Sequence, residues 1–77
     1  MNIGMLWFDN DPKADINSKI IRAAEYYHKK YGLAPDLCYV HPSMVHEGSP
    51  RAGRIEVRTN RTVLPNHFWI GMNPAAG

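Results

Sequence analysis

Most of the features that announce a chemistry are missing from this chain. It has a single cysteine, Cys38, set within the apolar run Leu37–Val40, so no internal disulfide can staple it and no second thiol is at hand for zinc. Its longest unbroken apolar runs, such as Met5–Phe8, are four residues, against the ~20 needed to cross a bilayer as a helix. No basic stretch followed by an apolar one opens the sequence, and a reducing, cytoplasmic setting is expected. The formal charge of +2 is far from the strongly basic balance that makes nucleic-acid binding the first reading. A Gly-rich phosphate loop is absent, as is any Ser-His-Asp or Cys-His order. The histidines, His28, His41, His46 and His67, have no zinc-like spacing, and those near strand ends, His41 and His67, suit capping and surface roles. No reaction is specified, and no cofactor is expected.

What is present is one βαβ unit followed by a less regular half. With 77 residues there is room for one domain, close to the size below which a chain buries too little surface to fold alone. Ile3–Phe8 reads as a strand with Ile3, Met5 and Trp7 on one face and Leu6 and Phe8 on the other; a strand apolar on both faces is normally central in its sheet. Asn10-Asp11-Pro12 ends it, with Asp11 placed to cap a helix and Pro12 to fill the first helical position. From there to Tyr31 the residues Ile16, Ile20, Ala23, Tyr27 and Tyr31 recur at helical spacing, while Asp15, Lys19, Arg22, Glu25, Lys29 and Lys30 form a solvated face. Gly32 suits the left-handed residue that closes a helix.

Asp36–His41 then reads as a second strand, parallel to the first through a right-handed crossover. Pro42–Gly53, rich in Pro, Gly and Ser, reads as a mobile loop. Arg54–Arg58 alternates, with Ile55 and Val57 inward and Arg54, Glu56 and Arg58 outward. His67–Met72 returns as the other arm of an irregular hairpin, Phe68 and Ile70 on one face and His67 and Trp69 on the other. The expected fold is a small two-layer α/β (α+β) domain, β-α-β-β-β, with one helix packed on a four-stranded mixed sheet over residues 1–72. Residues 73–77 are expected to be a flexible tail.

Width sets the central problem. Four strands ~4.8 Å apart make a sheet nearly 20 Å across, whereas one helix is only ~10–12 Å wide. The apolar residues on the second face of strands 1 and 2, joined by Trp69, therefore need a layer from elsewhere. A second copy is the readiest source, and the 42–53 loop with the tail is the alternative. Charge type also divides the chain: all four lysines and Arg22 lie in the first 30 residues, and the other four arginines lie between Arg51 and Arg61. The first half is balanced, so the net positive charge belongs to the second, in the residue type suited to bidentate phosphate contact.

Three constellations carry the functional expectations. Arg54 and Arg58 flank Glu56 on one strand face, and pairing with the next strand would set His67 and Trp69 beside them. Arg beside an aromatic is what an interface uses as anchors and what single-stranded nucleic acid uses for phosphate pairing and stacking; Glu56 within the strip favours the interface, since it repels phosphate and can pair across a contact. Asp9 and Asp11 follow a strand at the spacing of a simple divalent-metal site, and this tripeptide resembles that of phosphoaspartyl hydrolases. Pro35-Asp36 followed by Glu56-Val57-Arg58 resembles the PD-(D/E)xK nuclease pattern, which implies Asp36 and Glu56 on neighbouring strands holding Mg²⁺. Arg58 stands where that family has lysine, and an arginine keeps its proton at any working pH. The leading expectation is a non-catalytic interaction module, a homodimer or partner-binding domain acting through an apolar sheet face with Arg54, Arg58, His67 and Trp69 in contact. Nucleic-acid binding through the arginine strip, or a Mg²⁺-dependent nuclease built on Asp36, Glu56 and Arg58, are the alternatives, and no membrane contact is expected.

Overall fold

The computed structural model describes residues 4–45 and 51–73. Strand β1 (Gly4–Phe8) leads into helix α1 (Ile16–Tyr31) and then β2 (Leu37–Val40). A 3-10 turn, Pro42–Met44, follows, then a two-residue strand β3 (Arg51–Ala52), β4 (Ile55–Thr59) and β5 (His67–Gly71). One helix thus packs on a mixed sheet of four full strands, to which β3 adds a short edge. Among the described residues no helix is long and apolar enough to cross a membrane.

The helix starts four residues later than Asp11 and Pro12 imply. Its N-cap is Asp15, whose side chain accepts the Ser18 amide at 2.8 Å, while Asp11 accepts the Lys13 amide in the preceding turn. Both are acidic residues two or three positions ahead of a free amide, and local spacing does not say which the helix adopts. The far end closes as anticipated: Gly32 is left-handed, with φ 73°, and its amide bonds the His28 carbonyl.

Sheet order departs from a simple βαβ unit. The strands lie as β1-β5-β2-β4-β3, with β5 antiparallel to both β1 and β2, and β4 parallel to β2. Strands β1 and β2 therefore run in the same direction but do not touch. The expected hairpin of β4 with β5 does not form either, because β2 stands between them. Helix width supplies a physical reason: crossing over two strand spacings, about 10 Å, matches a helix diameter, so α1 leaves a slot that an antiparallel strand fills. One consequence is that β1, apolar on both faces, lies at an edge and not at the centre.

The core lies on one side of the sheet. Ile20, Ala23 and Tyr27 of α1 pack against Met5, Cys38, Val40, Ile55, Val57, Phe68 and Ile70, with Ile16 and Tyr31 partly buried beside them. Lys19, expected on the solvated helix face, is buried; a lysine stem can lie along apolar surface. The segment after β2 is not structureless. His41 caps the 3-10 turn by accepting the Ser43 amide, and Met44 and Val45 pack onto the helix-side core. These two residues widen the helical layer. Residues 46–50 of the expected loop, Ile3 of the expected first strand and residues 74–77 of the expected tail lie outside the described residues. Asn73 is held, its amide donating to Asp36 Oδ1 at 2.6 Å.

Candidate functional site

Strand register lays out the second face row by row. Directly opposed residues share a face, so Leu6 of β1, Trp69 of β5, Tyr39 of β2 and Arg58 of β4 form one line across the four full strands. Phe8 and His67 are opposed in the row beside it. None of these belongs to the helix-side core. The rings associate in pairs: Tyr39 and Trp69 have centroids 5.8 Å apart, and Phe8 and His67 4.9 Å apart. Such tilted pairs are favourable arrangements of aromatic quadrupoles.

Trp69 lies over glycine. A Cβ built on Gly4 would stand 2.1 Å from Trp69 Cζ2, so the indole occupies the space a side chain would need. At the other end of the row, the Arg58 guanidinium donates to the Glu56 carboxylate and also engages Tyr39, contacts that hold it firmly protonated, that with Glu56 foremost. His67 is oriented by its Nδ1, which bonds the Pro65 carbonyl at 3.0 Å; as a carbonyl only accepts, this nitrogen carries the proton.

Exposure is uneven across the face. Leu6 is 63% and Phe8 56% exposed, and Leu64 from the β4–β5 connection is 64% exposed, whereas Leu37 of β2 is 1% exposed. Leu6, Val63, Leu64, His67 and Trp69 line a cleft of about 320 Å³. The accessible apolar surface therefore gathers on the β1 side, with the Arg58–Glu56 pair at the opposite margin.

Of the four residues expected to form a contact strip, Arg58, His67 and Trp69 share this face. Arg54 does not join them: it precedes β4 beside Gly53 and lines a different groove, of about 380 Å³, with Ile21, Ala24, His28 and Ile55 on the helix side. The strip does not arise by pairing of β4 with β5, since Tyr39 bridges Arg58 to Trp69. Tyr39 was the residue that sequence reasoning missed. Its signal was available, as it alternates with the buried Cys38 and Val40, but its neighbours could not be assigned without strand order.

The acidic pairs are engaged elsewhere. Asp9 and Asp11 converge on Arg22, whose Nη1 is 3.7 Å from Asp9 and 3.5 Å from Asp11. Asp9 also accepts the Asp11 amide at 3.0 Å. The Lys13 amide, with Arg22 in support, holds the Asp11 carboxyl below its ordinary value. This guanidinium sits where a cation would and ties the β1–α1 connection to the helix. Glu56 lies in β4 and Asp36 immediately precedes β2, the two backbones being joined by the Glu56 amide to the Asp36 carbonyl at 3.0 Å. Their carboxylates serve different partners, Asn73 and Arg58. Among the described residues no group of three or more His, Cys, Asp or Glu side chains is placed to hold a metal ion. Burial pushes the Cys38 thiol up to about 12, which leaves it a packing residue and not a nucleophile. Comparison with protein-family models, with curated proteins and with solved structures finds no match to this chain, so its function has to be argued from this geometry.

Proposed function

We propose that the chain is a non-catalytic interaction module that self-associates through the second face of its sheet. The observation that carries this reading is the row Leu6, Trp69, Tyr39 and Arg58, flanked by exposed Phe8 and Leu64, on a face that lies outside the helix-side core. Apolar side chains left in water cost about 25 cal/mol per Å² relative to burial, and aromatic residues with Arg are the favoured anchors of interfaces. A specific contact at the small end buries about 600 Å² per copy, roughly a ninth of the 5164 Å² accessible here, which one face of a five-residue-long sheet and its rim can supply. Two-fold pairing also lets Glu56 of one copy meet Arg58 of the other at the margin, so the charged end is self-complementary.

Light scattering on a sizing column across a concentration series tests this. The expected result is a dimer or larger mass for the wild-type chain and a smaller mass for Trp69→Ala, with the helical circular dichroism retained. A wild-type monomer at every concentration, or a Trp69→Ala chain that stays fully associated, would sink the reading.

A second reading, single-stranded nucleic-acid binding, is favoured by one observation: two aromatic pairs, Tyr39–Trp69 and Phe8–His67, lie on one face, the arrangement on which bases stack. It ranks second because Arg58 is already paired with Glu56. Affinity for a single-stranded oligonucleotide that falls steeply with salt would support it, and a flat salt dependence would count against it.

A further inference from the structure

We infer that the outer side of β1 is a second interaction surface, and that it takes the β1 strand of another copy of this chain in antiparallel pairing. Strand β1 bonds β5 on one side and no described residue on the other. The direction of its backbone groups follows from a single bond. The Asp9 amide donates to the Asn66 carbonyl at 2.9 Å, so Asp9, Trp7 and Met5 face β5, and the alternate residues Gly4, Leu6 and Phe8 turn their amides and carbonyls outward. The adjacent strand pair agrees: Gly71, opposed to Gly4, gives its carbonyl to the Asp36 amide on the β2 side.

Edge strands in folded proteins are blunted by brevity, lysine, proline or a bulge. The opposite edge conforms, since β3 is two residues long and runs straight into Gly53 at φ 61° and Arg54. The β1 sequence Gly-Met-Leu-Trp-Phe has no such device. It has the composition of a central strand, apolar on both faces, and the surface beside it is apolar on both faces too. Leu6 and Phe8 are exposed on one side, and Tyr26, half-exposed, stacks on Trp7 with centroids 5.2 Å apart on the other. A strand of this kind at an edge is completed by another strand.

The occupant argued for is a second β1, because a strand paired antiparallel with its own copy is two-fold symmetric and one register engages every outward group of both strands. With Leu6 opposite Leu6 of the second copy, Gly4 opposes Phe8 in both directions, and all three outward-facing residues of each strand exchange hydrogen bonds. The line Tyr39, Trp69, Leu6 then continues across the two-fold axis into its own copy. Shifting the register by two residues sets Asp9 against Met5 and loses this match. The pairing uses main-chain groups and does not rest on the face contact proposed above; a molecule using both surfaces is a tetramer.

Site-resolved amide exchange on the wild-type chain, at high concentration and after dilution, reads the edge directly. The expected result is that the Leu6 and Phe8 amides exchange about 100-fold more slowly in the associated state and at the open rate once dilute, since a paired amide exchanges only through opening. Leu6→Pro removes one outward donor at an edge position where proline is tolerated; it should abolish this association while Leu6→Ala, which keeps the donor, retains it. Fast exchange of both amides in a sample that light scattering shows to be associated would overturn the edge pairing and leave the face contact standing. Protection that does not change on dilution, or a chain monomeric throughout, would overturn it as well. Loss of mass in Trp69→Ala with Leu6 and Phe8 still protected would instead retain the edge and remove the face.

Discussion

Gly4→Ala is the sharpest probe of how the second face is built. The added methyl carbon would stand 2.1, 2.4 and 2.8 Å from three atoms of the Trp69 ring, so either the ring leaves its seat beside Tyr39 or the strand bends. Forcing extra volume into an occupied site costs typically about 1–3 kcal/mol. For a chain this small, with a urea slope of about 1 kcal/mol/M, the unfolding midpoint should fall by about 1–3 M. The decisive measurement is a double-mutant cycle. With Trp69→Ala already in place the methyl group meets open space, and Gly4→Ala should be neutral or stabilise by up to about 1 kcal/mol, the ordinary advantage of alanine over glycine. The coupling is then at least about 1 kcal/mol, read by far-UV circular dichroism in urea at one fixed chain concentration, because association would otherwise add to apparent stability. Equal costs in both backgrounds, within about 0.5 kcal/mol, would refute the claim that the ring sits on the glycine.

Two further outcomes are expected. Asp15→Ala should lower the urea midpoint and the helical signal as a lost N-cap, whereas Asp11→Ala should leave the helix start in place; equal effects would restore Asp11 as the cap. Because the Ser18 side chain and amide hold the Asp15 carboxyl below its ordinary value, its contribution is present above that value and lost as pH falls through the lower folded one, so carbon-13 titration should place its midpoint below 3.8. Cys38, pushed up to about 12 by burial, should resist a thiol reagent at pH 8 until the chain unfolds. Since an unfolded thiol ionises near about 8.5, the folded state should lose relative stability as pH rises from there towards that value; rapid labelling of native protein would show that Cys38 is not buried.

The elements were legible because they rest on local chemistry. The helical repeat of Ile20, Ala23 and Tyr27, the closing Gly32, and the alternation of Ile55 and Val57 each report a periodic burial that is written along the chain. The inward and outward faces of β4 and β5 were legible for the same reason. What local chemistry could not supply was partnership. Asp11 and Asp15 are equally good caps by sequence, and the amide each accepts is a matter of where the β1–α1 turn runs. Arg54 and Arg58 alternate correctly, yet one reaches Tyr39 and the other lines the helix-side groove, because the strand begins between them.

The sequence by itself therefore determined the inventory: a small mixed domain of one amphipathic helix and four main strands, carrying more apolar strand surface than one helix can cover, with a single thiol and no internal disulfide. Only the tertiary structure decided that β5 enters between β1 and β2. That insertion places Trp69 beside Tyr39 and over Gly4, and leaves an apolar strand at the edge. The physical reason is that side-chain alternation records which face each residue takes, a property of one strand, while strand order records long-range hydrogen bonding, in which every backbone offers the same groups to any neighbour.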